Sequence, residues 1–195
     1  MNTKPKIYIE GDGVFGSFLK VLLEPYCDFD SRMETVILAV PSHAYYQRAE
    51  FWGHNNEKHI VNVCSVQRET AKNCQVWTDN VTSIHPLFGP RTPADKRFSI
   101  CTHVCDSVEE NKFLEIWNKI SPIHYTDPDT HDQIMAKTHV AAVIAAKQLQ
   151  PFVDMAKDVP DEFIPHSFRM LREFVKQLED MPKGTMDSIL SNPYF

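Results

Sequence analysis

Gly11-Asp12-Gly13-Val14-Phe15-Gly16 is a G-x-G-x-x-G pattern, and it belongs to phosphate chemistry when a strand precedes it and a helix follows. Both conditions are met in the sequence. Lys6 to Glu10 (KIYIE) is short, β-branched and aromatic, and it runs into the first glycine. Val14 to Leu23 carries apolar residues at helical spacing, with Pro25 just beyond. The first glycine permits the tight turn, the second lets backbone approach a pyrophosphate, and the third lets the helix pack on the strand. Free amides at the helix start then meet phosphate charge. The ligand implied is NAD or NADP, held by Gly11, Asp12, Gly13, Val14, Phe15 and Gly16. An acidic residue after the second strand would bind the adenosine ribose, and Asp30 is the first candidate, Asp28 the next.

Other chemistries are poorly supported. The nine histidines include no HxxxH or HExxH arrangement, so no metal is expected. The five cysteines are odd in number and none is spaced as CxxC, which reads as free thiols in a reducing cytosol. Cys64 has no basic partner placed by the sequence and reads as a packing residue rather than a nucleophile. A net charge of −6, with Lys and Arg outnumbered, gives no basic footprint for nucleic acid or anionic membrane. No apolar run approaches the roughly 20 residues that span a bilayer, and the start lacks a signal-peptide core. A soluble, cytoplasmic protein is expected.

The elements that would position these residues alternate at first. Thr35 to Val40 (TVILAV) is a continuous apolar run stopped by Pro41, as in a parallel strand buried on both faces. Ala44 to Trp52 reads as a helix, and His59 to Cys64, Val81 to Ile84 and Phe98 to Thr102 as strands. Val108 to Ile120 is a helix with Phe113, Leu114, Trp117 and Ile120 in one stripe, and Ser121 to Tyr125 is the last strand. Beyond it come helices alone: one long helix from His131 to Met155, a second from Ser167 to Leu178, and a final turn at Met186 to Leu190. Asp129 or Thr130 would cap the long helix. This pattern predicts a Rossmann-like α/β fold with a doubly wound, mostly parallel sheet, followed by a small all-helical C-terminal domain. The boundaries are 1–126 and 127–195. The second-strand region is reduced: only about twenty residues separate Gly16 from Thr35, so the second strand is little more than Tyr26 to Phe29. A crossover to a third strand needs roughly a dozen residues more and does not fit.

Four segments, in order after the glycine turn, resemble prephenate and arogenate dehydrogenases of tyrosine biosynthesis. Val36-Ile-Leu-Ala-Val-Pro41 is similar to the family strand whose Val-Pro end, here Val40 and Pro41, borders the cofactor. Val61-Asn-Val-Cys-Ser-Val-Gln67 is similar to the family stretch D-x-x-S-V-K. Ile84-His-Pro-Leu-Phe-Gly-Pro90 resembles its HPMFGP signature, and Asp129-Thr-His-Asp-Gln-Ile-Met135 the start of its long linking helix. Weaker echoes lie at Ser167-Phe-Arg-Met-Leu and Ile189-Leu-Ser-Asn-Pro193. The resemblance spans nearly the whole chain.

What the resemblance implies is an NAD(P)-dependent oxidative decarboxylation of prephenate to 4-hydroxyphenylpyruvate, with arogenate as the nearest alternative substrate. His85 matches the catalytic histidine, and its near-neutral pKa suits a group that takes a proton from the substrate hydroxyl. Ser65 matches the serine beside it. Arg169 matches the arginine that grips a substrate carboxylate, for which its fork geometry is suited. His139 on the linking helix falls where substrate contact is expected, while His131 and Asp132 are expected to hold the helix start and an interdomain contact rather than perform chemistry. A homodimer through the helical domain is implied as well. Two departures stand out: Gln67 in place of lysine and Asn62 in place of aspartate. The helical part, about seventy residues, is also short. The missing strands and the Gln67 change leave room for a non-catalytic descendant that binds a nucleotide or prephenate-like acid without turnover, whereas the presence of His85, Ser65 and Arg169 together argues against it. Hydroxyacid and imine-reducing dehydrogenases also join a nucleotide domain to helices, but Lys137 matches their linking-helix lysine poorly and they lack the HPLFGP segment.

Overall fold

The computed structural model describes residues 4–30, 33–54 and 58–195. The chain forms two compact units, 1–132 and 133–195. The first contains a seven-stranded sheet: β1 (Lys6–Glu10), β2 (Asp28–Phe29), β3 (Thr35–Leu38), β4 (His59–Asn62), β5 (Val81–Pro86), β6 (Ser99–His103) and β7 (Ile123–Tyr125). The strand order is β2-β1-β3-β4-β5-β6-β7. Neighbours are parallel except β5 and β6, which are antiparallel. Helices α1 (Val14–Leu23), α2 (Tyr45–Gly53), α3 (Arg68–Gln75) and α4 (Val108–Ile120) belong to this unit.

Side-chain alternation along the strands decides which helix packs where, because successive residues of a strand face opposite sides of the sheet. Ile7, Ile37, Val61 and Ile84 share a core with Leu19 and Leu23 of α1 and with Phe113, Ile116 and Trp117 of α4. Val36, Leu38, Ile60 and Val81 share another with Tyr45 and Ala49 of α2 and Cys74 of α3. The sheet is therefore covered on both faces, and β3 and β4 are buried along their whole length. The doubly wound fold expected from the sequence is the one observed.

The shortened second-strand region is also as expected. β2 is only two residues long and pairs with β1; among the described residues no strand lies outside it. From β2 the chain returns to the other side of β1 to form β3. That reversal makes the β1/β3 junction the topological switch point, where open α/β sheets bind ligands beyond the carboxyl ends of their strands.

Two local features differ from the sequence expectation. Helix α3 was not anticipated, because RETAKNCQ is largely polar and turns only Thr70, Ala71 and Cys74 inward. The long helix starts earlier than His131 and is not uniform. It comprises α5 (Pro128–Met135), a π-helical turn (Ala136–Val140) and α6 (Ala141–Met155). Asp127, rather than Asp129 or Thr130, caps its start: the Thr130 amide donates to Asp127 Oδ1 at 2.8 Å, with Pro128 in the first helical position. These bonds hold the exposed Asp127 carboxyl below its usual range.

The second unit adds α7 (His166–Glu179) and α8 (Lys183–Leu190). Its core gathers Val140, Val143 and Ile189 with Ile144, Leu178, Met181, Met186 and Leu190. No helix among the described residues is long and apolar enough to cross a membrane.

Candidate active site

The glycine turn has the geometry its sequence asks for. Gly11 has φ +119°, and a Cβ there would lie 2.3 Å from the carbonyl oxygen of Ala39, just after β3. A Cβ on Gly16 would lie 2.0 Å from the Gly11 carbonyl oxygen, so α1 can meet the turn only without a side chain there. Gly13 is different: a Cβ on it would meet nothing within 4 Å. It is the N-cap of α1 and supplies no side-chain cap, so the first amides of the helix are left to an outside acceptor. Two glycines are thus required by packing, and the third keeps a space open above a helix start. That is the arrangement an incoming pyrophosphate needs. Val14 is exposed at this helix start, and Phe15 packs against the core beneath. Asp12 is exposed in the turn, and its carbonyl accepts from Ser17 Oγ at 3.2 Å.

His85 is placed by a bulge. The pairing of β5 with β6 slips between Ser83 and Ile84, and His85 follows directly. Bulges re-aim the side chains next to them. The extra residue opposite, Thr102, turns its hydroxyl to Gln67 Oε1 at 2.8 Å. His85 is buried, with 4% of its surface exposed. Its Nδ1 lies 3.0 Å from Nε2 of His131, whose Nδ1 lies 2.8 Å from Asp132 Oδ1. Asp132 in turn accepts from the backbone amides of Gln67 and Arg68 at the start of α3, both at 2.9 Å. His131 and Asp132 are fully buried. They do more than start a helix, and the sequence reading missed this. The adjacent His-Asp pair was visible, but its target lies far away in sequence.

The two departures from the family stretch are built into the same edge. Asn62 accepts from the Cys64 amide at 3.0 Å and donates to Thr70 Oγ1 at 2.9 Å and Ser83 Oγ at 3.2 Å. The Gln67 side chain is buried; it donates to the Cys64 carbonyl at 2.5 Å and accepts from Thr102. Both neutral amides use donor and acceptor at once, which neither a carboxylate nor an ammonium could do. They shape the loop between β4 and α3 that carries Ser65. Ser65 is half-buried in that loop, and its hydroxyl has no hydrogen-bond partner among the described residues. Cys64 beside it is buried, which pushes its thiol up to about 11 and makes it a poor nucleophile at neutral pH.

The glycine turn, Val40 and Pro41 after β3, Ser65 after β4 and His85 at the end of β5 all leave the same, carboxyl edge of the parallel strands. Val40 packs on the second core cluster and Pro41 is exposed ahead of a short 3₁₀ turn. Asp30 follows β2 and lies 3.7 Å from Lys6 Nζ. The two remaining candidates belong to the second unit. His139 sits half-buried in the π-helical turn. Arg169 is exposed on α7; its Nε and Nη2 donate to the carbonyls of Ile164 and Asp161 at 3.2 and 2.6 Å. Two surface depressions, one along Gln75–Asn80 and one lined by Phe18, Tyr26 and Arg97, include none of these residues.

A second cluster, with His59 and Glu110 buried and Cys105 half-buried, occupies the opposite edge. One ligand-type atom from each of His59, Cys105 and Glu110 lies within 4.8 Å of the others. Hydrogen bonds account for all three without an ion. Thr82 donates to Glu110, His59 Nε2 lies 2.7 Å from Thr82 Oγ1, and His59 Nδ1 lies 3.3 Å from Thr35 Oγ1. Glu110 also accepts from the amides of Cys105 and Asp106. The Cys105 thiol donates to Asn80 Oδ1 at 3.2 Å. Burial lowers the His59 pKa to about 4, so this ring is neutral at pH 7.

Fold and turn together define a Rossmann-type α/β architecture, and solved structures bear this out. The chain superposes on prephenate dehydrogenase from Aquifex aeolicus, solved with hydroxyphenyl propionate and NAD+, with a TM-score of 0.67 and 12% identity. The match covers 98% of this chain and 84% of that one. Arogenate dehydrogenase from Synechocystis gives a TM-score of 0.60 and 15% identity over 96% and 86% of the two chains. A reductive aminase from Aspergillus terreus, solved with NADPH and ethyl levulinate, gives 0.60 and 11% over 91% and 75%. No family model and no curated protein matches the sequence. The fold is thus shared with prephenate and arogenate dehydrogenases, the proteins the sequence motifs resemble.

Proposed function

We propose that this chain is an NAD(P)-dependent dehydrogenase that oxidatively decarboxylates prephenate to 4-hydroxyphenylpyruvate, with arogenate as the nearest alternative substrate. The observation that carries it is His85, at the carboxyl edge of the sheet that also bears the open glycine turn, tied through His131 to a buried carboxylate. Gly13 and the first amides of α1 would hold the pyrophosphate, Asp30 the adenosine ribose, and Val40 and Pro41 the wall beside it. The neighbours' own ligands, NAD+ and NADPH, support this assignment.

When bound, the nicotinamide supplies a hydride acceptor for the ring carbon that bears the hydroxyl. His85 holds the hydroxyl proton while the carbon–oxygen bond gains double-bond character. The bond to the ring carboxylate then breaks, carbon dioxide leaves, and its electron pair makes the ring aromatic. The proton returns from His85 to the phenol oxygen, so none is released. Ser65 would orient His85 or the hydroxyl. Arg169 and His139 would meet the substrate carboxylates, Arg169 after exchanging its present carbonyl partners.

We further propose a cytoplasmic homodimer joined through the helical unit. Phe152, Met155, Phe163 and Met170 of that unit are exposed, at 58%, 82%, 73% and 58%. An apolar set of this kind marks an association surface. Sedimentation velocity should return twice the chain mass.

The deciding assay mixes the purified protein with prephenate, then arogenate, each with NAD and NADP, and follows the reduced nicotinamide. Turnover with one pairing is expected, falling by about 10²–10⁴-fold in His85→Asn. Dinucleotide binding without turnover, from folded protein, would transfer the assignment to a binding-only descendant.

A further inference from the structure

We propose that His131 and Asp132 are positioning residues that lock His85 in the tautomer protonated at Nδ1, so that its Nε2 can only accept. The direction follows from the end of the chain. Asp132 is held by two backbone amides and can only accept while ionised, so the 2.8 Å contact requires His131 to donate from Nδ1. Neutral His131 then has a bare Nε2. That atom can only accept, so the 3.0 Å contact requires His85 to donate from its own Nδ1. His85 Nε2 is thereby left as an acceptor. Free histidine favours the opposite tautomer, with the proton on Nε2, which would present a donor where an acceptor is wanted.

The same chain handles charge. When His85 takes a proton on Nε2, its Nδ1 proton can shift to His131 Nε2. The positive charge then sits on the ring beside Asp132, whose own charge is already satisfied by the start of α3. No atom is gained or lost, and the shift reverses when the phenol oxygen recovers its proton. Both helpers are fully buried, so water does not compete for these bonds.

The test reads the tautomer directly. Long-range ¹H–¹⁵N spectra of the imidazole rings, assigned with His85→Asn and His131→Phe, should show His85 protonated at Nδ1 in the unmodified protein above pH 7.5. In His131→Phe it should revert mainly to the Nε2-protonated form. His131→Gln should restore the Nδ1 form, because its amide can accept from His85 and donate to Asp132. An Nε2-protonated His85 in the unmodified protein, or a tautomer unmoved by His131→Phe, would overturn the proposal. The kinetic arm alone rests on the dehydrogenase reading: kcat should fall about 100-fold in His131→Phe and recover most of that in His131→Gln, with KM nearly constant. The expected tautomers without turnover would leave the relay standing and sink the dehydrogenase reading instead.

Discussion

Two buried histidines sit at opposite edges of one sheet, each tied to a buried carboxylate, yet only one lies at the carboxyl edge where we propose the chemistry. His59, at the start of β4, commits both ring nitrogens to threonines; Thr82 passes the contact to Glu110, and Glu110 fastens the turn before α4. His85, near the end of β5, commits Nδ1 to His131 and through it to Asp132. The first chain closes on itself inside the protein. The second lies at the edge where the glycine turn, Val40 and Ser65 gather. A buried histidine–carboxylate link is therefore no signature of catalysis; what distinguishes the two is the edge of the sheet at which each ring lies.

Substitutions at the two carboxylates should separate these roles. Asp132→Ala leaves two amides and a histidine donor buried without partners, so urea unfolding should report a loss of about 2–4 kcal/mol. Its turnover per folded molecule should fall at least about 100-fold. Glu110→Ala should cost a similar roughly 2–4 kcal/mol, for the same reason, yet leave turnover per folded molecule unchanged. Reduced turnover in folded Glu110→Ala would erase the distinction between the two edges.

The His59 edge makes a pH prediction of definite sign. Its folded pKa, near 4, lies below the ordinary 6.5, so the unfolded chain binds the extra proton between these values. Stability from this group is complete above pH 6.5 and drains away as pH falls toward 4, by on the order of 3 kcal/mol in all. Comparing denaturant unfolding at pH 7 and 5 should show His59→Gln losing less on acidification than the unmodified protein. Equal losses in both would mean the imidazole is not held neutral.

Two glycines sharpen the contrast from the ligand side. Gly16→Ala forces a methyl 2.0 Å from a carbonyl oxygen and should destabilise the fold by about 1–3 kcal/mol. Gly13→Ala meets open space, so its thermal unfolding should move by less than about 1 kcal/mol. Its affinity for NAD or NADP, measured by calorimetry, should fall roughly tenfold as the methyl fills the phosphate space. Smallest of all, Asp12→Asn removes an exposed negative charge beside that space and should tighten dinucleotide binding about two- to fivefold, less so at high salt.

Much of this was legible where strong punctuation coincides with period. β1, α1 and α4 begin and end where the sequence reading set them, because glycine, proline and a Ser107 cap bracket clear apolar patterns. The reduced second-strand region followed from chain length alone. α3 was hidden because its inward face is made of small and polar residues that carry no apolar stripe. The π-helical turn was hidden inside an alanine-rich run whose composition suits any helix; the Thr138 hydroxyl there bonds back to the Ile134 carbonyl. The site divided in the same way. Glycine geometry is local and could be read from six residues, whereas the His85–His131–Asp132 chain needs partners 46 and 64 or 65 positions apart. No spacing rule reaches that far.

The sheet is shortest where it stops. β2 at one margin has two residues and β7 at the other has three, while the strands between them run from four to six. Unpaired strand margins are templates on which foreign or misfolded chains can add and fibrils can grow. By stopping with stubs, this sheet offers an intruding strand too few backbone groups to hold on to. The short margins of this sheet thus also act as protection against aggregation.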